Sequence, residues 1–172
     1  MAERLIVKIS DPVLRKVCKP ITEITPNIIK LLDDMADTLY GGPNRAGLAA
    51  PQIGVPKRLI VIDCGDGLIE LINPEIVKKS GEQIGQEACL SIPGLYGKVK
   101  RAKHVLVKTL NRAGEEIVLQ GKGPLARCFQ HEIDHLDGVL FIDHVHPGDL
   151  YSEMTNEPLN VFEVIKYSKQ NT

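Results

Sequence analysis

The chain has 172 residues, with 21 Lys and Arg against 22 Asp and Glu, a formal net charge of −1, and 43% hydrophobic residues. This length and hydrophobic content suit one folded domain spanning residues 1–172 and argue against disorder, while balanced charge and 4% aromatic residues argue against a DNA- or RNA-binding surface. No run approaches the ~20 apolar residues of a membrane span, the opening MAERLIVKISDP has no signal-peptide core, and the 4 Cys read as thiols of a reducing, cytoplasmic compartment.

Residues 1–24 read as extended and irregular, punctuated by Asp11-Pro12 and Lys19-Pro20. Thr25-Pro26 has the form of an N-cap with proline in the first helical turn. Ile28, Leu31, Leu32, Met35 and Leu39 then follow at helical steps until Gly41-Gly42-Pro43. The segment 44–54 (NRAGLAAPQIG) is small and reads as flexible. Arg58 to Asp63 and Leu68 to Asn73 are strand-forming runs joined by Cys64-Gly65-Asp66-Gly67, a hairpin signal. Lys98 to Leu110 alternates as one run around Val99, Val105, Val107 and Thr109, turns at Asn111 to Gly114 and returns through Glu116 to Leu119. A second helix is expected from Pro124 to Asp137, ended by Gly138. Beyond Pro147 the chain is polar, with one short amphipathic stretch near Leu159 to Ile165. Runs of strands between helices, without strict β-α alternation, make the fold class α+β.

Residues 131–135 read His-Glu-Ile-Asp-His. Two histidines four apart on a helix project from one face ~6 Å apart along the axis, so both imidazoles can reach one metal ion. Glu132 beside them can act on water at such an ion. In helical projection Leu125, Phe129, Ile133 and Leu136 form an apolar arc, with Arg127, Gln130, Asp134 and Asp137 on the opposite polar face. His131, Glu132, His135 and Cys128 fall on the flank between them. That position half-buries the polar groups, where an unpartnered carboxylate is costly, and favours a metal site over two solvated histidines. A catalytic metal takes a third protein ligand and keeps one position open. Cys128 lies too far along the helix to share an ion with both histidines and reads as a core cysteine, Cys18 as structural, and Cys64 as a turn residue. Cys89, among the small and polar residues 85–94, stands as a candidate ligand, with His104 and His144 as substitutes.

Three segments in order, Gly47-Leu48-Ala49-Ala50-Pro51-Gln52, Glu87-Ala88-Cys89-Leu90-Ser91 and Gln130-His131-Glu132-Ile133-Asp134-His135, resemble the peptide deformylase family. Asp11-Pro12-Val13-Leu14-Arg15 and Arg101 fit the same pattern, so the resemblance runs from about residue 5 to residue 145. It implies antiparallel β-sheets packed around a central helix carrying the HExxH motif. It also implies a metal-dependent hydrolase that removes the formyl group from N-terminal formyl-methionine of nascent polypeptides and releases formate. Cys89, His131 and His135 would hold the ion, Fe2+ physiologically with Zn2+, Ni2+ or Co2+ as substitutes, and Glu132 would be the general acid/base. The Gln52 amide and the Leu90 backbone N–H would serve the oxyanion. Backbone at Gly47 and Ala88 would pair with an extended substrate, with Cys128 in the same substrate-binding set. The implied partners are formylmethionyl nascent chains and, transiently, the ribosome, without DNA or membrane.

Two positions depart from the family pattern. Arg45 and Ala88 stand where glycine is usual, so Ala88 would be restricted if its φ had to be positive, and Arg45 is expected at the cleft rim, favouring acidic or carbonyl-rich substrate segments. The competing readings are a zinc endopeptidase of HExxH type, for which His144 and His146 are the available downstream histidines, and a non-catalytic binding protein of the same fold.

Overall fold

The computed structural model describes residues 2–172. Its elements are α1 (Pro26–Tyr40), β1 (Gly47–Ala49), β2 (Leu59–Ile62), β3 (Ile69–Ser80), β4 (Gln83–Cys89), β5 (Ile92–Arg101), β6 (His104–Leu110), β7 (Glu116–Lys122), α2 (Pro124–Leu136), β8 (Leu150–Ser152) and α3 (Val161–Lys169). They form a five-stranded sheet in the order β1-β2-β3-β6-β7 and a three-stranded sheet in the order β4-β5-β8, with every pairing antiparallel.

The run Leu-Ile-Val-Ile of β2 has no exposed residue because the larger sheet is covered on both faces. Alternate side chains point to opposite faces of a strand. Leu59 and Val61 pack with Ile28, Leu32, Met35 and Leu39 of α1. Ile60 and Ile62 pack with Ala126, Phe129, Ile133 and Leu136 of α2. The helical arc expected from sequence is therefore the core face of α2. A separate cluster joins the smaller sheet, through Ile92, Val99 and Leu150, to Leu14, Phe141 and Val161. Arg15 closes this end of the molecule: its guanidinium donates to Ser168 Oγ, 153 residues away, at 2.7 Å and to Asp143 at 2.6 Å.

Several expectations need correction. The segment 44–54 is not flexible: it holds β1 and the 3-10 turn Ala50–Ile53, with Leu48, Ala49 and Ala50 fully buried against β2 and α1. The strand beginning near Leu68 continues to Ser80 through Pro74, and its register with β6 shifts between Ile72 and Glu75, where proline offers no N–H to the ladder. Lys98 to Leu110 is two strands in different sheets, broken at Ala102 and Lys103. Residues 85–94, read as small and polar, form the end of β4 and the start of β5. The amphipathic stretch expected near Leu159 to Ile165 is the start of α3, capped by the Asn160 side chain accepting from Phe162 N, and β8 precedes it.

The end of α2 shows why Gly138 stands where it does. Its φ is +72°, and a Cβ there would lie 2.6 Å from the Arg15 carbonyl oxygen. Any larger residue would force the N-terminal segment away from the helix end, where Cys18 N donates to Leu136 O at 2.8 Å.

Candidate active site

α2 presents His131, Glu132 and His135, and β4 ends at Cys89. His135 and Glu132 are buried, and His131 and His135 lie edge to face with ring centroids 5.2 Å apart. The β4–β5 ladder slips between Glu87 and Cys89, and the Cys89 Sγ comes to 3.4 Å from His135 Nε2. One donor atom from each of Cys89, His131 and His135 lies within 4.8 Å of the others, the one such cluster of three among the described residues. His104 and His144 are not in it. His144 Nε2 instead meets Asp134 Oδ2 at 2.9 Å.

This donor set fits a tetrahedral metal. Metal–sulfur and metal–nitrogen bonds of ~2.3 and ~2.0 Å at tetrahedral angles put neighbouring donors about 3.5 Å apart. The Cys89–His135 separation matches that edge. His131 Nδ1 lies 2.8 Å from Glu87 Oε1, which orients the ring so that its other nitrogen faces the thiol. His135 Nδ1 and Glu132 Oε2 are buried with no hydrogen-bond partner. Burial pushes the Cys89 thiol up, but the His135 and His131 imidazoles outweigh it and bring its pKa down to about 5. It is thus held toward the thiolate form that ligates metals. Burial also raises Glu132, against the pull of His131 and His135.

Behind the cluster is a group of charges whose role sequence reasoning left unassigned. Glu87 is 5% exposed and accepts from Arg101 Nε and Nη2, both at 2.9 Å, and from Arg127 Nη1 at 2.6 Å. Arg101 reaches on to Asp134 Oδ2 at 2.6 Å. Burial works against the ionised Glu87, yet the Arg101 and His131 contacts hold its carboxyl well below the usual range. Glu87 is two residues before Cys89 on a strand, hence on the same face, which is the signal that could have identified it. Of the opposite polar face of α2, only Asp137 is exposed. Arg127 and Asp134 meet these partners, and Gln130, 5% exposed, bonds Ala102 through both side-chain atoms. Glu87→Gln is expected to weaken metal affinity about 10–100-fold by freeing His131. It should also cost about 3–5 kcal/mol of stability by leaving buried arginines facing a neutral partner. Metal titration and urea unfolding check both, and unchanged values would remove the positioning role.

Gln52 reaches the cluster from the 3-10 turn after β1. Its Oε1 accepts from Ala49 N at 3.0 Å, which aims Nε2 at Cys89 Sγ, 3.5 Å away, and Ser91 Oγ, 3.3 Å away. Gly47 backs directly onto Glu132, and a Cβ there would lie 2.6 Å from Glu132 Oε1. A cleft of about 710 Å³ opens over these groups, lined also by Ala88, Leu90 and Cys128. It runs between β1 and β4, each the last strand of its sheet. An extended peptide can add to such an edge through backbone hydrogen bonds. Cys128 is a cleft-wall residue of intermediate exposure, not a core cysteine, whereas Cys18 is buried as expected.

The two departures have local explanations. Ala88 has no positive φ, so its methyl group imposes no strain. Arg45 borders the cleft, but its guanidinium is engaged by the Thr38 carbonyl at the end of α1 and by Glu3. The expectation that it selects acidic substrate segments is not supported by that orientation.

Comparison with known proteins adds an independent line. A family model described as polypeptide deformylase matches residues 3–150. A peptide deformylase of Carboxydothermus hydrogenoformans is 64% identical over 143 residues, 83% of this chain and 93% of that protein. One of Desulfitobacterium hafniense is 59% identical over 83% of this chain and 95% of its own length. Among solved structures, a peptide deformylase from Thermotoga maritima matches with a TM-score of 0.82 at 40% identity, covering 86% of this chain and 100% of that one. One from Legionella pneumophila matches with a TM-score of 0.84 at 40% identity, covering 99% and 95%.

Proposed function

Because the chain belongs to the peptide deformylase family, we propose that it hydrolyses the formyl group from formylmethionyl nascent polypeptides, with Cys89, His131 and His135 holding one divalent ion. The observation that carries this reading is Glu132, a buried carboxylate with a free oxygen, placed beside the three-donor cluster at the floor of a cleft between two strand edges. A divalent ion in that cluster supplies Lewis acidity toward water and the formyl oxygen.

The chain's own residues do the rest. Glu132 accepts the proton of the attacking water and later returns it to the leaving amine. Gln52 Nε2, held by the Ala49 contact, donates to the developing oxyanion together with the Leu90 N–H. Gly47 and Ala88, on β1 and β4, hold the substrate backbone extended, and Cys128 bounds the side-chain space beneath it. α2 is the central helix of this reading, since it carries both histidines and touches both sheets, the smaller one through Arg127 Nη1 and the Val99 carbonyl at 3.0 Å.

We assign Fe2+ as the physiological ion, with Zn2+, Ni2+ or Co2+ able to replace it; the support is the family, since one thiolate and two imidazoles suit zinc equally well. We read the 172 residues as one catalytic domain working in the cytoplasm, with transient contact to the ribosome. No helix among the described residues is long and apolar enough to cross a membrane. Formate release from a formyl-Met-Ala-Ser peptide tests the proposal. Turnover with no cleavage of internal peptide bonds is expected. Internal cleavage without formate would favour an endopeptidase, and binding without either product would favour a non-catalytic protein.

A further inference from the structure

We propose that Cys64 and Cys128 form a redox-sensitive pair whose disulfide closes the substrate cleft. Cys64 stands exposed at the turn between β2 and β3, and Cys128 on the cleft-facing side of α2. Both line the cleft beside Gly47 and Glu132, and each thiol is close enough to shift the other's titration. The backbone brings them together independently of that effect. Asp63 N donates to the Ala46 carbonyl at 2.9 Å, and Cys128 Sγ lies 3.8 Å from the same oxygen. The β2–β3 turn and α2 therefore converge on one atom. Neither the buried Cys18 nor Cys89, a member of the donor cluster, belongs to this pair.

The two thiols are unequal. The Cys128 thiol lowers the Cys64 pKa despite burial and the Asp63, Glu132 and Asp66 carboxylates. The same pairing, with burial, raises Cys128. An exposed, more acidic thiol beside a protonated partner is the arrangement of an attacking and a resolving cysteine. With a hydroperoxide as oxidant, the Cys64 thiolate attacks the terminal peroxide oxygen. The S–O bond forms, the O–O bond breaks, and an alcohol or water leaves. Cys128 then loses its proton and displaces hydroxide from the Cys64 sulfur, forming S–S, breaking S–O and releasing water. Two thiols lose two electrons and two protons, and the peroxide is reduced; an external dithiol reverses the change.

Closing that bond draws the sulfurs to about 2.05 Å, pulling the turn onto the cleft wall. Cys128 lies four residues before Glu132, one helical turn, so its displacement passes to the carboxylate that Gly47 touches. The inference uses the deformylase reading only for its activity readout.

The test exposes the nickel-loaded enzyme, in which the ion resists oxidation, to hydrogen peroxide and maps its peptides without reduction. Expected are a Cys64–Cys128 linked peptide, loss of two hydrogens in mass, and a fall in kcat/KM of about tenfold or more that dithiothreitol reverses. Cys64→Ser, measured against its own rate before peroxide, should keep its activity through the treatment. Absence of the linked peptide, a linked peptide with unchanged kcat/KM, or equal reversible loss in Cys64→Ser would overturn the proposal. No formate release before peroxide would instead overturn the functional reading, and the linked peptide would then decide the pairing alone.

Discussion

Replacing Glu132 by Gln is expected to lower kcat for formate release by about 10²–10⁴-fold, the usual worth of a general acid/base, while metal content stays at the parental level. The amide preserves shape and packing against Gly47, so the change removes proton acceptance and little else. Glu132 is not a member of the three-donor cluster, which is why the ion should remain. Steady-state rates beside elemental analysis make the comparison. A variant that keeps near-parental kcat would end the general-base assignment, and one that loses its metal would make Glu132 a ligand.

The second large effect separates two cysteines that composition alone cannot tell apart. Cys89→Ser should lose metal affinity by more than about 100-fold, beyond the range typical of supporting residues, because a neutral hydroxyl replaces a thiol already poised toward thiolate. Cys128→Ser should retain the ion, since its sulfur lies near the Ala46 carbonyl and the Cys64 thiol. Equal metal content in the two variants would refute the proposed ligand set.

Much of the candidate site was legible because it rests on local spacing. The four-residue step from His131 to His135 needs only a helix to become a pair of ligands, and the apolar arc through Phe129 and Ile133 shows which way that helix faces. Cys89 was a candidate by composition and became a specific one only through three ordered motifs. What escaped was set by tertiary partners. Gln130 and Asp134 look solvated in projection, yet one pairs with Ala102 and the other with Arg101. Segment 44–54 is rich in Gly and Ala, which reads as looseness, but those small residues are what allow β1 to lie against Glu132 and beneath α1. The apolar run of β3 ends at Asn73, but the strand continues through Pro74, whose missing N–H a register shift absorbs.

The contacts of Arg15 with Asp143 and Ser168 carry a consequence for timing. They join the segment before α1 to residues 128 and 153 positions later, and α3 completes the cluster under the smaller sheet. Contacts of such sequence separation form only after all the intervening residues are available. A protein whose proposed substrates are growing polypeptides therefore closes its own smaller-sheet cluster only after Val161–Lys169 has itself emerged from synthesis.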